Sequence, residues 1–122
     1  MPKTILTVDD SASIRQTVKL TLASVGYSVV EAASGNVALD VCAKTTIDTV
    51  VTDLNMPEMD GIELIRLLRA KPLFKFVPIL MLTTESQQDK KLQGKSAGAT
   101  GWITKPFTPD QLIKVIMKVC PL

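Results

Sequence analysis

Three aspartates, one threonine and one lysine stand where short apolar runs of this chain end. Asp9 and Asp10 follow Thr4–Val8, Asp53 follows Thr49–Thr52, Thr83 closes Pro78–Thr83, and Lys105 follows Thr100–Thr104. If those runs are neighbouring strands, three carboxylates, a hydroxyl and an ammonium converge. Carboxylates within several ångströms of each other raise one another's pKa unless a cation intervenes. The chain has no histidine, which removes Ser-His-Asp and Cys-His catalysis and His-based metal sites. Oxygen-only ligands point instead to Mg²⁺, which favours a few carboxylates, waters and a phosphate. A Mg²⁺ beside a lysine and a hydroxyl suits a phosphoryl group, and an aspartate at its centre could be the nucleophile. Singly, each residue has an ordinary reading: a helix start, a structural threonine, a loop lysine. The chemistry lies in five such residues at the ends of four strands.

The elements that must position them alternate five times. Thr4–Val8, Val29–Ala32, Thr49–Thr52, Pro78–Thr83 and Thr100–Thr104 read as strands, several apolar on consecutive residues, as in a parallel sheet covered on both faces. Ile14, Val18, Leu22 and Val25 recur at helical spacing before Gly26, a natural stop. Ser34 can cap a second helix carrying Val37 and Val41, and a third over Ile62–Arg69 must end before Pro72. A fourth, Ser86–Ser96, is weakly amphipathic and contains Gly94, while Thr108-Pro109-Asp110-Gln111 opens a fifth that buries Leu112, Ile116 and Val119. This alternation predicts an α/β fold, a doubly wound parallel five-stranded sheet with helices on both faces. Function in such sheets gathers at the carboxyl ends of the strands.

Composition is consistent with one domain over residues 1–122, without an effector domain. Hydrophobic residues make up 46% and charged residues 21%, an ordinary globular balance, and no apolar run approaches the ~20 residues of a membrane span. Met1-Pro2-Lys3-Thr4 leads straight into the first strand, so no signal peptide is expected and the reading is cytoplasmic. Cys42 and Cys120 lack metal spacing and read as idle thiols of a reducing compartment. The net charge of +2 is uneven: residues 1–60 hold 4 Lys/Arg against 8 Asp/Glu, residues 61–122 hold 10 against 4. The acidic half suits a cation and the basic half an anionic partner, although most of these lysines also fit solvated helix faces.

Val8-Asp9-Asp10, Asp53-Leu54-Asn55-Met56-Pro57, Asp60-Gly61, Leu82-Thr83-Thr84-Glu85, Gly98-Ala99 and Lys105-Pro106-Phe107, in this order, resemble the signature of two-component response-regulator receiver domains across essentially the whole chain. The absence of an appended effector region resembles the stand-alone chemotaxis members. The resemblance implies the flavodoxin-like strand order 2-1-3-4-5 and a Mg²⁺ cofactor held by Asp9, Asp10, Asp53 and the Asn55 backbone carbonyl. It implies that Asp53 is the modified residue, attacking a phosphohistidine on a histidine kinase or histidine phosphotransfer protein, with Thr83 and Lys105 on the phosphoryl oxygens. A cis Lys105–Pro106 peptide is implied as well. Asn55 and Glu85 would tune dephosphorylation. Thr83 and Trp102 would form the switch, and Trp102 departs from the Tyr, Phe or His usual there; the alternative is an indole simply packed at the sheet edge.

The implied output face is the fourth helix, fifth strand and fifth helix, with Lys90, Lys91, Lys95, Trp102, Lys114 and Lys118 as candidate contacts for an acidic target, the flagellar motor switch among them. The chain would be a signalling protein and a monomer that touches neither membrane nor nucleic acid, since no winged or helix-turn-helix module follows. A shuttle passing phosphate to a histidine phosphotransfer protein is the alternative. A haloacid-dehalogenase-type phosphohydrolase would want a second acid where Asn55 stands. A flavin carrier would meet an acidic loop after the first strand, and a phosphate-binding loop ending in Gly94-Lys95-Ser96 has Asp89 where its first glycine belongs. A pseudo-receiver is disfavoured because every site position is filled.

Overall fold

The computed structural model describes residues 2–84 and 86–122. Strands β1 (Thr4–Val8), β2 (Ser28–Ala32), β3 (Thr49–Asp53), β4 (Ile79–Thr83) and β5 (Gly101–Thr104) alternate with helices α1 (Ala12–Ala23), α2 (Gly35–Lys44), α3 (Gly61–Arg69), α4 (Gln88–Ala97) and α5 (Pro109–Val119). The sheet is parallel throughout, in the order β2-β1-β3-β4-β5. The (βα)₅ doubly wound architecture expected from the alternation is therefore present. No helix among the described residues is long and apolar enough to cross a membrane.

Alternation along the strands divides the core into two layers, because successive side chains leave opposite faces. Leu6, Val8, Val50, Ile79 and Met81 pack with Ala38, Cys42, Ile62, Ile65 and Leu68 beneath α2 and α3. Ile5, Val51, Leu80, Leu82 and Ile103 pack with Val18, Leu22, Leu112 and Ile116 beneath α1 and α5. The expected Ser34 cap and Thr108–Gln111 capping box are both formed, and Ser11 and Asp60, not read as caps from the sequence, likewise accept from the amide three residues on.

Several local expectations shift. Pro78 lies just before β4 and gives its carbonyl to the Val50 amide at 3.0 Å. Val25 falls after α1, in the turn that Gly26 completes at φ +108°. Val37 is exposed, and α2 turns Gly35, Ala38 and Cys42 inward instead. Small residues on that face let the helix approach closely; a Cβ on Gly35 would stand 2.5 Å from the Met59 sulfur. A 3₁₀ turn at Pro72–Phe74, not read from the sequence, buries Phe74. The fourth helix starts at Gln88, not Ser86, without a side-chain cap, and its Gly94 sits directly against the Met81 thioether, which would have to shift to admit a Cβ. Gly94 is thus a close packing contact, not only a weak point in the helix.

Candidate functional site

The sheet reverses its winding between β1 and β3, so the chain leaves these neighbouring strands in opposite directions and opens a crevice at their carboxyl ends. Asp9 and Asp10 follow β1 and Asp53 is the last residue of β3. One carboxylate oxygen from each lies within 4.8 Å of the others. Asp9 and Asp53 are buried and Asp10 is exposed at the rim.

Lys105 enters from the end of β5. Its ammonium donates to Asp53 Oδ1 at 3.1 Å and stands 3.5 Å from Asp9 Oδ2, an ion-pair distance too long for a good hydrogen bond. Its backbone is tied down as well: the Lys105 amide donates to the Thr83 carbonyl at 2.6 Å, and the Lys105–Pro106 peptide is cis. Asp53 Oδ1 also accepts from the Leu54 amide at 2.9 Å, whereas Oδ2 has no protein donor among the described residues. One oxygen is held and the other is not.

Two polar atoms of the site have no hydrogen-bond partner among the described residues. Asp9 Oδ1 accepts from the Ser11 amide at 2.9 Å, but its Oδ2 is buried without such a partner, and so is the Thr83 hydroxyl. Burial pushes the Asp9 carboxyl above its ordinary pKa and the Asp53 charge adds to this; the Ser11 amide and Lys105 pull the other way. A buried carboxylate oxygen without a hydrogen bond, in a cluster of three carboxylates, is what a hard cation relieves, so the donor set fits Mg²⁺.

Supporting contacts come from Arg15, which no motif marks, and from Gly61. The Arg15 guanidinium donates to the Asp9 carbonyl at 2.7 Å and pairs with Glu31 at 3.1 Å, fixing the loop after β1. Gly61 opens α3 directly against the Asp53–Leu54 backbone, where a Cβ would lie 3.0 Å from Leu54 Cα, and its amide donates to the Leu54 carbonyl. The Asp60-Gly61 pair was the only signal for that contact.

The expected switch and output residues distribute unevenly. Thr83 is buried at the end of β4, and Trp102 is 43% exposed on β5 beside an open groove of about 740 Å³ that also reaches Thr84, Ser86, Lys105 and Pro106. Lys91, expected as a solvent-facing contact, is only 8% exposed and places its ammonium 5.7 Å from the Trp102 ring centre. The apolar residue beside it, Leu92, points outward at 68% exposure. Lys95, Lys114 and Lys118 are exposed, Lys90 is half-buried, and Asn55 is exposed two residues after Asp53. Glu85 lies outside the described residues.

Comparison with known proteins decides the family. Residues 5–117 match the response regulator receiver domain. The chain belongs to that family. This receiver domain is 39% identical to the chemotaxis protein CheY of Pseudomonas aeruginosa over 116 residues, covering 94% of each chain. It superposes on CheY4 of Vibrio cholerae with a TM-score of 0.93 at 47% identity, covering 98% of this chain and 99% of that one. A more distant receiver, that of the sensor histidine kinase PA1611 of Pseudomonas aeruginosa, has a magnesium ion coordinated in its active-site cleft; it matches with a TM-score of 0.89 at 27% identity over 98% of both chains. The present receiver domain is thus a component of two-component signalling, with an acidic cluster at the corresponding end of its sheet.

Proposed function

We propose that this receiver domain is a phosphorylation switch of a chemotaxis pathway, accepting a phosphoryl group on Asp53 from the phosphohistidine of a kinase or phosphotransfer protein. The observation that carries the reading is the asymmetric environment of Asp53. One oxygen is anchored by Lys105 and the Leu54 amide, whereas the other has no donor among the described residues, and the buried Thr83 hydroxyl, also without a partner among them, ends the neighbouring strand.

Asp53 Oδ2 attacks the phosphorus, the donor's N–P bond breaks, and the imidazole leaves with the bonding pair and takes up a proton. The product is a mixed anhydride on Asp53. Mg²⁺ held by Asp9, Asp10, Asp53 and the Asn55 carbonyl would offset the charge of the clustered acids and the incoming phosphate. Lys105, already in contact with the acceptor, moves its donors to a phosphoryl oxygen. The Thr83 hydroxyl gains in the phosphorylated state the partner that it otherwise lacks, which gives that state a differential interaction on which a conformational change can run. Trp102, with open space beside it, is placed to follow Thr83, and the face of α4, β5 and α5 is the proposed output surface for an acidic target in the cytoplasm. Asn55 and Glu85 are proposed to tune the loss of phosphate.

The test is acetyl phosphate in Mg²⁺, read by intact mass. Wild type should gain one phosphoryl group, and Asp53→Asn or chelated wild type should gain none; a stoichiometric adduct on Asp53→Asn would defeat the proposal. A relay shuttle is the outcome if phosphorylation proceeds but hydrogen exchange over residues 84–104 and Trp102 emission both stay unchanged.

A further inference from the structure

At the end of the sheet opposite Asp53, the segment between α3 and β4 carries the two most exposed large apolar side chains among the described residues, Leu73 at 85% and Phe76 at 88%. They are not on a slack loop. The Arg69 guanidinium donates to the carbonyls of Phe74 at 2.7 Å, Lys75 at 3.3 Å and Val77 at 2.6 Å, and to that of Gly98 at 2.9 Å. With the Phe74 ring buried beneath the turn, this backbone holds Leu73 and Phe76 outward. A surface ordered in advance loses little freedom when a partner covers it.

Beside the pair lies a groove of about 280 Å³, lined by Cys42, Lys44, Thr46, Ile47, Leu73 and Phe74 among others. Lys44 stands in its wall, exposed Lys71 and Lys75 flank Leu73 and Phe76 in the chain, and the Lys75 ammonium sits 5.6 Å over the Phe76 ring. None of the three lysines pairs with a carboxylate among the described residues. Asp48, the acid preceding β3, is taken up by the Thr4 amide at 2.8 Å.

We propose that this end of the domain is a docking surface for an acidic protein segment that seats one apolar side chain in the groove and packs another on Leu73 and Phe76. Unpaired lysines around an apolar centre complement acidic residues around an apolar anchor, the layout of core and rim that interfaces use. A membrane surface is the weaker match: it cannot fill a concave groove, and three lysines fall short of the ~4–8 clustered basic residues that recognise anionic headgroups. Because the acceptor crevice and the face of α4, β5 and α5 lie elsewhere, this contact is independent of the phosphoryl state and leaves the output face free. It would tether the receiver to an assembly that also phosphorylates it or reads it.

The test uses a fluorescein-labelled Asp/Glu-rich peptide with a leucine and a phenylalanine three residues apart, titrated with the full chain by fluorescence anisotropy. Leu73→Ser with Phe76→Ser should weaken binding at least about tenfold, as expected for losing two apolar side chains from an interface. Lys44→Gln with Lys71→Gln should weaken it and flatten its salt dependence, while Asp53→Asn should bind like wild type. Leu73, Phe76, Lys44 and Lys71 are all exposed, and unchanged urea midpoints would show that the variants fold. No binding to wild type, equal binding by the serine variant, or a loss in Lys114→Gln with Lys118→Gln matching that of the serine variant would overturn the proposal. So would wild type sedimenting with phosphatidylcholine–phosphatidylglycerol vesicles through Leu73 and Phe76 while ignoring the peptide. Phosphorylation of Asp53 should be normal in every variant that keeps Asp53, so this inference and the acceptor reading fail separately.

Discussion

Gly61→Ala is a sharp test of how the fold positions the acceptor, because two effects of opposite sign compete at that residue. Alanine is the better helix former by up to about 1 kcal/mol, so propensity alone makes the variant more stable. The structure argues otherwise. A Cβ at Gly61 would stand 3.0 Å from Leu54 Cα and 3.1 Å from the Asp53 carbonyl carbon, and closer still to the Asp53 carbonyl oxygen. Carbon atoms pack at about 3.5–4.0 Å, so α3 and the end of β3 must separate by roughly 0.5–1 Å. Overpacking of that kind costs about 1–3 kcal/mol, and stretching the Gly61 to Leu54 hydrogen bond of 3.0 Å adds up to about 1 kcal/mol more. Net destabilisation of about 1–3 kcal/mol is expected, a drop of about 3–6 °C in Tm per kcal/mol for a domain of this size. The displaced atoms belong to Asp53 itself, so phosphorylation by acetyl phosphate should slow as well, by up to ~10²-fold for a 1 Å misplacement. Thermal unfolding and the rate of adduct formation by intact mass check the two halves. A higher Tm with an unchanged rate refutes the argument. A lower Tm with an unchanged rate would show that α3 absorbs the strain and that Gly61 has no part in setting the acceptor.

Three further outcomes follow from the site. Asp9→Asn should stabilise the domain in chelator at neutral pH, because the folded state raises the Asp9 pKa above the unfolded value of 3.8. Wild type then loses stability relative to the variant as pH rises from that value through the raised one, and the loss persists above it; equal stability across the range would refute this. Mg²⁺ should raise the Tm of wild type and do so less for Asp9→Asn. Thr83→Ala removes a buried hydroxyl with no partner among the described residues, so its stability in urea should stay within about 1 kcal/mol of wild type, while the change in Trp102 emission with beryllofluoride should vanish although Asp53 still accepts phosphate. Lys91→Met takes the cation from the Trp102 ring, a contact worth about 0.5–1 kcal/mol when partly exposed, so the balance of indole positions should shift about two- to fivefold; identical emission spectra in both phosphorylation states would show that the pair does not restrain the ring.

Much of this protein could be read locally. Strands and helices announce themselves through short apolar runs and a period of 3.6, and Ser34 and Thr108-Pro109-Asp110-Gln111 mark helix starts through the amides that they satisfy. The five residues at strand ends were visible for the same reason, since a parallel sheet carries function at its carboxyl edge whatever its strand order. That β1 and β3 are neighbours, bringing Asp9 to Asp53 across 44 residues, was not in those periods; it came from the resemblance of the motifs and is realised only by the assembled sheet. Tertiary packing alone decided the rest. Val37 and Leu92 face outward and Lys91 inward because each helix is phased by its small buried residues, Gly35 against Met59 and Ala38 in the core for α2 and Gly94 over Met81 for α4, and small residues leave almost no hydrophobic signal. The outward pair at Leu73 and Phe76 depends on one guanidinium that gathers carbonyls from the α3–β4 and α4–β5 connections. Backbone oxygens are the same in every residue, so no side-chain pattern along the chain could have revealed where they would meet.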